Sequence, residues 1–311
     1  MNYSAIVNRS LAIAWKHRYL WVFGFFASMG GGTFSNIGGR ASEGDRAAAI
    51  TGWITSHPGL VLALVFAGAV LLLVLGVLQV LSAGGLVRGT AEASAGRAGG
   101  FEQTLSMGYD CFGRVLGLEL LLLLIVVGIM LAGFVPPIVM IATKQGVLVA
   151  LGVAWLLLLL LPALALMIAL GLAWNYALRF AALRGDPVGA AVAHGWALAR
   201  RHLGTTVVLW LVNLAIGFAA GMAMMVAGLL FAIPFVVAGI INLWLGLIPA
   251  LLIGLPLLVV ITAVYGVYEY SYWTIAFTEL TAVDDPVPTP PPAAEPTPAK
   301  PFELPPTAGM A

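Results

Sequence analysis

Charged positions in this chain are gathered into short clusters separated by long apolar blocks. Residues 202–268 contain no Asp, Glu, Lys or Arg, and between Glu119 and Arg179 the only such residue is Lys144. A soluble fold of this size could not hide such runs, whereas a hydrocarbon core about 30 Å thick accepts an apolar helix of about 20 residues. The pattern predicts an all-α fold, a polytopic transmembrane helix bundle of about six spans. Residues 19–32 form a short apolar run ending in Gly30, Gly31 and Gly32, under-length unless the preceding residues continue it. Residues 59–81 form a full span, with Pro58 at the first helical position, where its missing N–H costs nothing. Residues 115–134 form a third, expected to stop at Pro136 and Pro137. Residues 147–176 form a fourth, long enough to tilt and expected to kink at Pro162. The stretch 203–280 is read as a fifth span to about residue 230 and a sixth over about 247–277. An apolar connector joins them and dips into the outer membrane face; three spans there is the rival reading.

Composition agrees, since 61% hydrophobic and 9% charged residues with a mean hydropathy of +1.04 lie far from the roughly 25% charged residues of an average soluble domain. The net charge of +1 gives no sign of a nucleic-acid partner; the partner implied is the lipid bilayer, with another membrane protein as a further candidate. Basic residues set the orientation. With six spans and the N-terminus inside, one side holds Arg9, Lys16, Arg18, Arg88, Arg97, Arg114, Arg179, Arg184, Arg200 and Arg201, and the other only Arg40, Arg46 and Lys144. The chain is therefore expected in the cell membrane, multi-pass, with both termini cytoplasmic. The N-terminal run loosely resembles a secretory signal, but its basic region is long and no Ala-x-Ala site follows, so it is read as retained. Residues 1–281 are read as the membrane domain and residues 282–311 as a disordered, proline-rich cytoplasmic tail that cannot bury enough apolar area to offset its ordering.

The chain also reads as three copies of one hairpin, over about residues 4–90, 101–185 and 187–280. Three odd-numbered spans follow aromatic and basic segments: Trp15-Lys16-His17-Arg18-Tyr19-Leu20, then Tyr109 to Arg114-Val115-Leu116, then Trp196 to Arg200-Arg201-His202-Leu203. In the even-numbered spans, Gln79 precedes Arg88-Gly89 as Asn175 precedes Arg184-Gly185, and Trp174-Asn175-Tyr176 resembles Tyr268-Glu269-Tyr270. Each copy is expected to begin with an amphipathic lead-in helix lying in the interface. The third is expected to start with Asp186 as N-cap and Pro187 in its first turn. Arg18, Arg114, Arg179, Arg200 and Arg201 are the residues expected to face phosphate headgroups, Arg179 by snorkelling along its stem.

Glu269 is the leading candidate for function, because it falls about ten residues inside the polar end of the last span, where a carboxylate is costly unless paired, protonated or hydrated. Tyr265 and Trp273 sit at i−4 and i+4 on its face. The repeat aligns Glu269 with Gln79 and Asn175, so these side chains are expected to meet at one level. The first reading of that meeting is a hydrogen-bonded knot between helices, and the second is a polar lumen for a solute or proton. Glu119 is expected to pair locally near Arg114, Asn213 and Asn242 to cap or cross-link helices, and the single Cys111 to act as a small filler.

His17, His57, His194 and His202 fall in no chelating pattern, and neither a phosphate-binding loop, nor a nucleophile elbow, nor a dinucleotide fingerprint is present. No catalytic residue, metal or cofactor is expected. The recurring unit, with its lead-in helix, Arg-x-Leu turn and Arg-Gly loop, resembles the membrane domain that precedes some bacterial glycerophosphodiester phosphodiesterases and related six-helix prokaryotic membrane proteins. In those enzymes catalysis belongs to a separate soluble domain, so the resemblance implies a membrane module and carries over no catalytic residue. The expected function is a non-enzymatic integral protein of the bacterial inner membrane, an envelope or lipid-associated scaffold or accessory subunit. The alternative is a small-solute or proton-coupled transporter or channel built on Gln79, Asn175 and Glu269.

Overall fold

The computed structural model describes residues 2–29, 45–97 and 99–284, and among them all regular structure is helical. Helix α1 (Tyr3–Lys16) starts on Asn2, whose side chain accepts the Ala5 amide at 3.2 Å. There follow α2 (Leu20–Ser28), α3 (Asp45–Ser56), α4 (Pro58–Ser94), α5 (Phe101–Ala142) and α6 (Gly146–Arg179), which continues through a π turn to Arg184. Helix α7 (Val188–Arg201) leads to α8 (Leu203–Ile241); α9 (Leu243–Pro249) and α10 (Leu255–Asp284) are joined by a second π turn. Among the described residues five helices, 58–94, 101–142, 146–184, 203–241 and 243–283, are long and apolar enough to cross a membrane. The chain is a multi-pass integral membrane protein. At 37 residues, α4 is about 56 Å long, so it projects well beyond a hydrocarbon core of about 30 Å.

Several expected boundaries move. The first expected span is represented by α2, nine residues or about 14 Å; the helix break at His17 keeps α1 from lengthening it. Its expected end at Gly30 to Gly32, the Arg40 loop and the tail from residue 285 lie outside the described residues. Pro136 and Pro137 do not stop α5, and Pro234 lies inside α8. In hydrocarbon no water waits to take up freed carbonyls, so continuing the helix through a proline costs less than leaving it. For the same reason the expected connector between about 230 and 247 is helical, with one break at Asn242. There the Asn242 side chain accepts the Trp244 amide at 3.0 Å, and the 203–283 stretch holds two long helices.

The first and third lead-in segments are separate helices, α1 and α7, ended by His17 and His202. The second is not separate. Residues 109–116 lie within α5 because Cys111, Val115 and Leu118 form one buried face that keeps the axis continuous. Asp186 does not cap α7 either; Pro187 takes that position, and the Asp186 carboxylate meets His194 Nδ1 at 2.8 Å.

The packed core lies at the end of the bundle that holds α1 and α7. Leu20, Phe23, Leu86, Val115, Tyr176, Trp273 and Phe277 are all buried there, whereas the most apolar stretches of the five long helices are at most 11% buried. Small residues set the close approaches, as expected where lipid tails remove the hydrophobic drive between helices. A Cβ on Gly85 would lie 2.8 Å from the Thr104 carbonyl, and one on Gly108 would lie 2.5 Å from that of Leu81, which locks α4 on α5. Cys111 fills the same seam, fully buried, its Sγ donating to the Met107 carbonyl at 3.3 Å.

Gly185 closes α6 in the left-handed region (φ 79°), and a Cβ there would lie 2.5 Å from Arg114 Nη1. Gly185→Ala is therefore expected to cost about 1–2 kcal/mol through backbone strain and to lower the melting temperature of detergent-solubilised protein by a few degrees. Gly113→Ala, with open space around it, should leave the melting curve unchanged. Equal melting of the two variants would contradict the described turn.

Candidate functional site

Gln79 of α4, Asn175 of α6 and Glu269 of α10 line one cavity of about 390 Å³, together with Tyr265, Thr262 and Tyr270 of α10, Ser28 of α2, Glu119 of α5, and Trp174 and Arg179 of α6. Four of the five expected cluster residues thus meet. Trp273 does not: it is buried one turn further along α10, edge-on to the rings of Tyr176 at 5.9 Å and Tyr272 at 5.8 Å. Its place is in the core that closes one end of the cavity.

Arg179 departs most from expectation. Rather than reaching headgroups, it is 2% exposed. Its Nη1 donates to the Asn175 carbonyl at 2.8 Å and to Asn175 Oδ1 at 3.2 Å, and its Nη2 to the Tyr270 carbonyl at 3.4 Å. The guanidinium carbon sits 5.5 Å from the centre of the Tyr270 ring, within cation–π range. The packing of α6 against α10 supplies these acceptors inside the bundle, so the side chain turns inward. Asn175 is in turn oriented by donating to the Gly171 carbonyl at 3.0 Å.

Glu119 is also displaced from its expected role. Arg114 donates to the Asp110 carbonyl at 3.1 Å and packs on Gly185. Glu119, five residues on, points about 140° away around a helix of 3.6 residues per turn, into the cavity. That angle was available from the spacing and is the signal that local pairing overlooked. Trp174 sets its indole N–H against the Glu119 carboxyl, and Arg179 Nε is enclosed without a hydrogen-bond partner. The residues lining the cavity therefore carry two carboxylates and one guanidinium.

Tyr265 bounds the cavity and sets its hydroxyl against Gly217 of α8, where a Cβ would lie 2.8 Å away. Two further tyrosines fasten α8: Tyr176 Oη lies 3.1 Å from Thr206 Oγ1, and Tyr272 Oη donates to the Leu209 carbonyl at 2.8 Å. Tyr176 and Tyr272 thus serve to hold α8 on its neighbours. Asn213 is placed in α8 with its Oδ1 buried and unpaired.

The other expected headgroup-facing residues lie toward the surface. Arg18 is exposed with its guanidinium 5.9 Å from the Trp21 ring centre, Arg200 and Arg201 are exposed at the end of α7, and Arg114 is half-buried. Arg88, by contrast, cross-links helices, donating from Nε to the Ala182 carbonyl at 2.7 Å and lying 3.6 Å from Asp110. Among the described residues no three His, Cys, Asp or Glu side chains are grouped to hold a metal ion. No known family model, curated protein or solved structure matches the chain. The fold therefore defines the class, a multi-pass helical membrane protein, in which Gln79, Asn175 and Glu269 line one cavity.

Proposed function

We propose that the protein is a non-enzymatic inner-membrane carrier or channel for a small polar solute, with Glu269 as its proton-sensitive group. The observation that supports this reading is the convergence of Gln79, Asn175 and Glu269 from three helices on one 390 Å³ cavity with Glu119 and Arg179. A structural knot would bring these groups into mutual hydrogen bonds and leave no room between them, whereas pockets for small ligands start at about 300 Å³. Intramembrane ionisable groups facing a cavity mark solute and proton pathways. The packing of α1 against α10 supports a reading with both ends of the described chain at one face, and the excess of basic residues supports that face being cytoplasmic.

The scaffold reading has its own supporting observation, the nearly unburied apolar stretches of all five long helices. Those faces suit lipid or another membrane protein equally.

The test is accessibility together with flux. In a Cys111→Ala background, Gln79→Cys is expected to react with a water-soluble thiol reagent in the folded protein. Proteoliposomes with an entrapped pH dye are expected to show a proton flux evoked by at least one of glycine, ethanolamine, phosphate and glycerol, and Glu269→Gln should lose its pH dependence. A Gln79→Cys variant whose thiol does not react, together with no evoked flux, would leave the scaffold reading in its place.

A further inference from the structure

The charge that the protein leaves open to the cavity is negative. Arg179 is 2% exposed, with both Nη atoms donating to backbone carbonyls and its Nε enclosed. Asn175 accepts from Arg179 and donates to the Gly171 carbonyl, and Trp174 sets its indole N–H against the Glu119 carboxyl. Glu269 differs from all of these. It lines the cavity, and among the described residues its carboxyl makes no hydrogen bond and no ion pair. A buried charge is ordinarily paired. One guanidinium balances one of the two carboxylates in the lining, which leaves one negative charge for something else to neutralise.

Resting on the reading that the cavity takes up a polar solute, we propose that this solute is a small organic cation, an ammonium group on a short aliphatic body, and that it exchanges with a proton at Glu269. Either cation brings the lining to neutrality: a proton on the Glu269 carboxyl, or an ammonium beside its carboxylate. When the ammonium enters, the Glu269 O–H bond breaks, the electron pair stays on the oxygen and the proton leaves to water, so one positive charge replaces another. Tyr265 offers a ring face and a hydroxyl to such a cation, and Gln79 an amide, while Ala27, Leu122 and Leu178 suit the aliphatic part. The volume of about 390 Å³ is that of a small-molecule pocket and exceeds what an alkali ion fills. The other titratable groups near Glu269 are Arg179 of α6, Glu119 of α5, and Tyr265, Tyr268 and Tyr270 of its own helix; α2 and α4 present Ser28 and Gln79, which carry no charge. Guanidinium and phenols keep their protons at neutral pH, which leaves the two carboxyls to answer to pH. An ammonium of this kind occurs in free amines and in the ethanolamine headgroup of a lipid.

The experiment is titration calorimetry on the full chain in nanodiscs of phosphatidylglycerol, a lipid with no ammonium, with empty nanodiscs as background. Choline and ethylammonium are the probes, with potassium, acetate, phosphate and glycerol as controls. At least one organic cation is expected to bind tenfold or more tightly than every control. Its affinity should fall as the pH is lowered, by up to about tenfold per pH unit, because the proton competes for the same carboxylate. Neither probe loses a proton near neutral pH, so protons released on binding, counted from the heats in two buffers of different ionisation enthalpy, come from the protein. That release should grow as the pH falls and vanish in Glu269→Gln, which should also bind at least tenfold more weakly. If the variant does not fold, the pH dependence and proton release of the parent decide alone. Substituting phosphatidylethanolamine into the nanodisc identifies the source. Loss of soluble-probe binding there assigns the site to a lipid headgroup, and its persistence assigns it to a free amine; either outcome supports the cation. Potassium, acetate, phosphate or glycerol binding as tightly as the probes would overturn the proposal while leaving a polar-solute site intact. Cation binding with no proton release and equal affinity in Glu269→Gln would overturn the exchange. Absence of binding by all six compounds, with the thiol of Gln79→Cys still reactive, would overturn it as well. If that thiol is unreactive, the underlying cavity reading falls with it.

Discussion

Gly24→Val and Gly266→Val are each expected to lower the melting temperature of the detergent-solubilised protein by roughly 5–10 °C, taking about 1–3 kcal/mol for an overpacked contact and about 2–4 °C per kcal/mol at this chain size. Helix α2 has only nine residues and cannot be held by its own length, so its place depends on what it touches. It touches α10 through glycine on both sides. A Cβ on Gly24 would collide with the Ala263 carbonyl and lie 2.8 Å from Val267 Cγ2; one on Gly266 would run into the Gly24 backbone and Ser28 Oγ. Backbone cannot rotate out of the way, so either valine forces the helices apart. Because Ala27 and Ser28 of α2 wall the cavity, the same separation should open the site and weaken solute binding. Gly59→Val and Gly68→Val, where a Cβ meets nothing within 4 Å, serve as controls and should melt within a degree or two of the parent. If Gly24→Val melts with those controls, α2 is not docked on α10.

The contrast between these glycines shows which features the sequence makes legible. Block hydropathy identifies membrane helices because the bilayer selects on composition over a long window, and the five long helices fall where the apolar blocks lie. Polar residues inside those blocks were legible for the same reason: Gln79, Asn175 and Glu269 stand out against apolar neighbours. Ends of helices were less legible, since a proline rule learned in water fails where no water competes for the carbonyls. Pro136, Pro137 and Pro234 therefore sit inside helices. Arg179 was misplaced because a long basic side chain near a span end satisfies the snorkelling pattern equally well whether or not acceptors exist inward. Only the pairing of α6 with α10 reveals the Tyr270 carbonyl that it uses. Glu119 was hidden by its distance in sequence from the other cavity residues, although its angle from Arg114 could have been read. Which glycines make contacts and which face open space depends on which helices are neighbours, and a single sequence does not carry that information.

Arg179→Gln is expected to destabilise the protein by about 3–5 kcal/mol, the usual cost of leaving a buried charge without its counterpart. The substitution keeps a hydrogen-bond donor of intermediate length and so isolates charge from packing. With the guanidinium gone, Glu119 and Glu269 face the same cavity with no cation among its lining residues. Glu269→Gln alone leaves one guanidinium and one carboxylate at the site, and its cost should stay within about 1 kcal/mol, as for a substitution that creates neither a cavity nor an unpaired charge. Combining the two removes one charge of each sign. The double variant is therefore expected to recover at least half of the stability lost in Arg179→Gln, a coupling of the size that residues sharing one network show. Denaturant titration in a fixed detergent, with the four proteins measured side by side, gives that coupling directly. Simple additivity would mean that Arg179 is held by the carbonyls of Asn175 and Tyr270 and not by charge balance. In that case the cavity charges act independently, and no proton is needed to balance them.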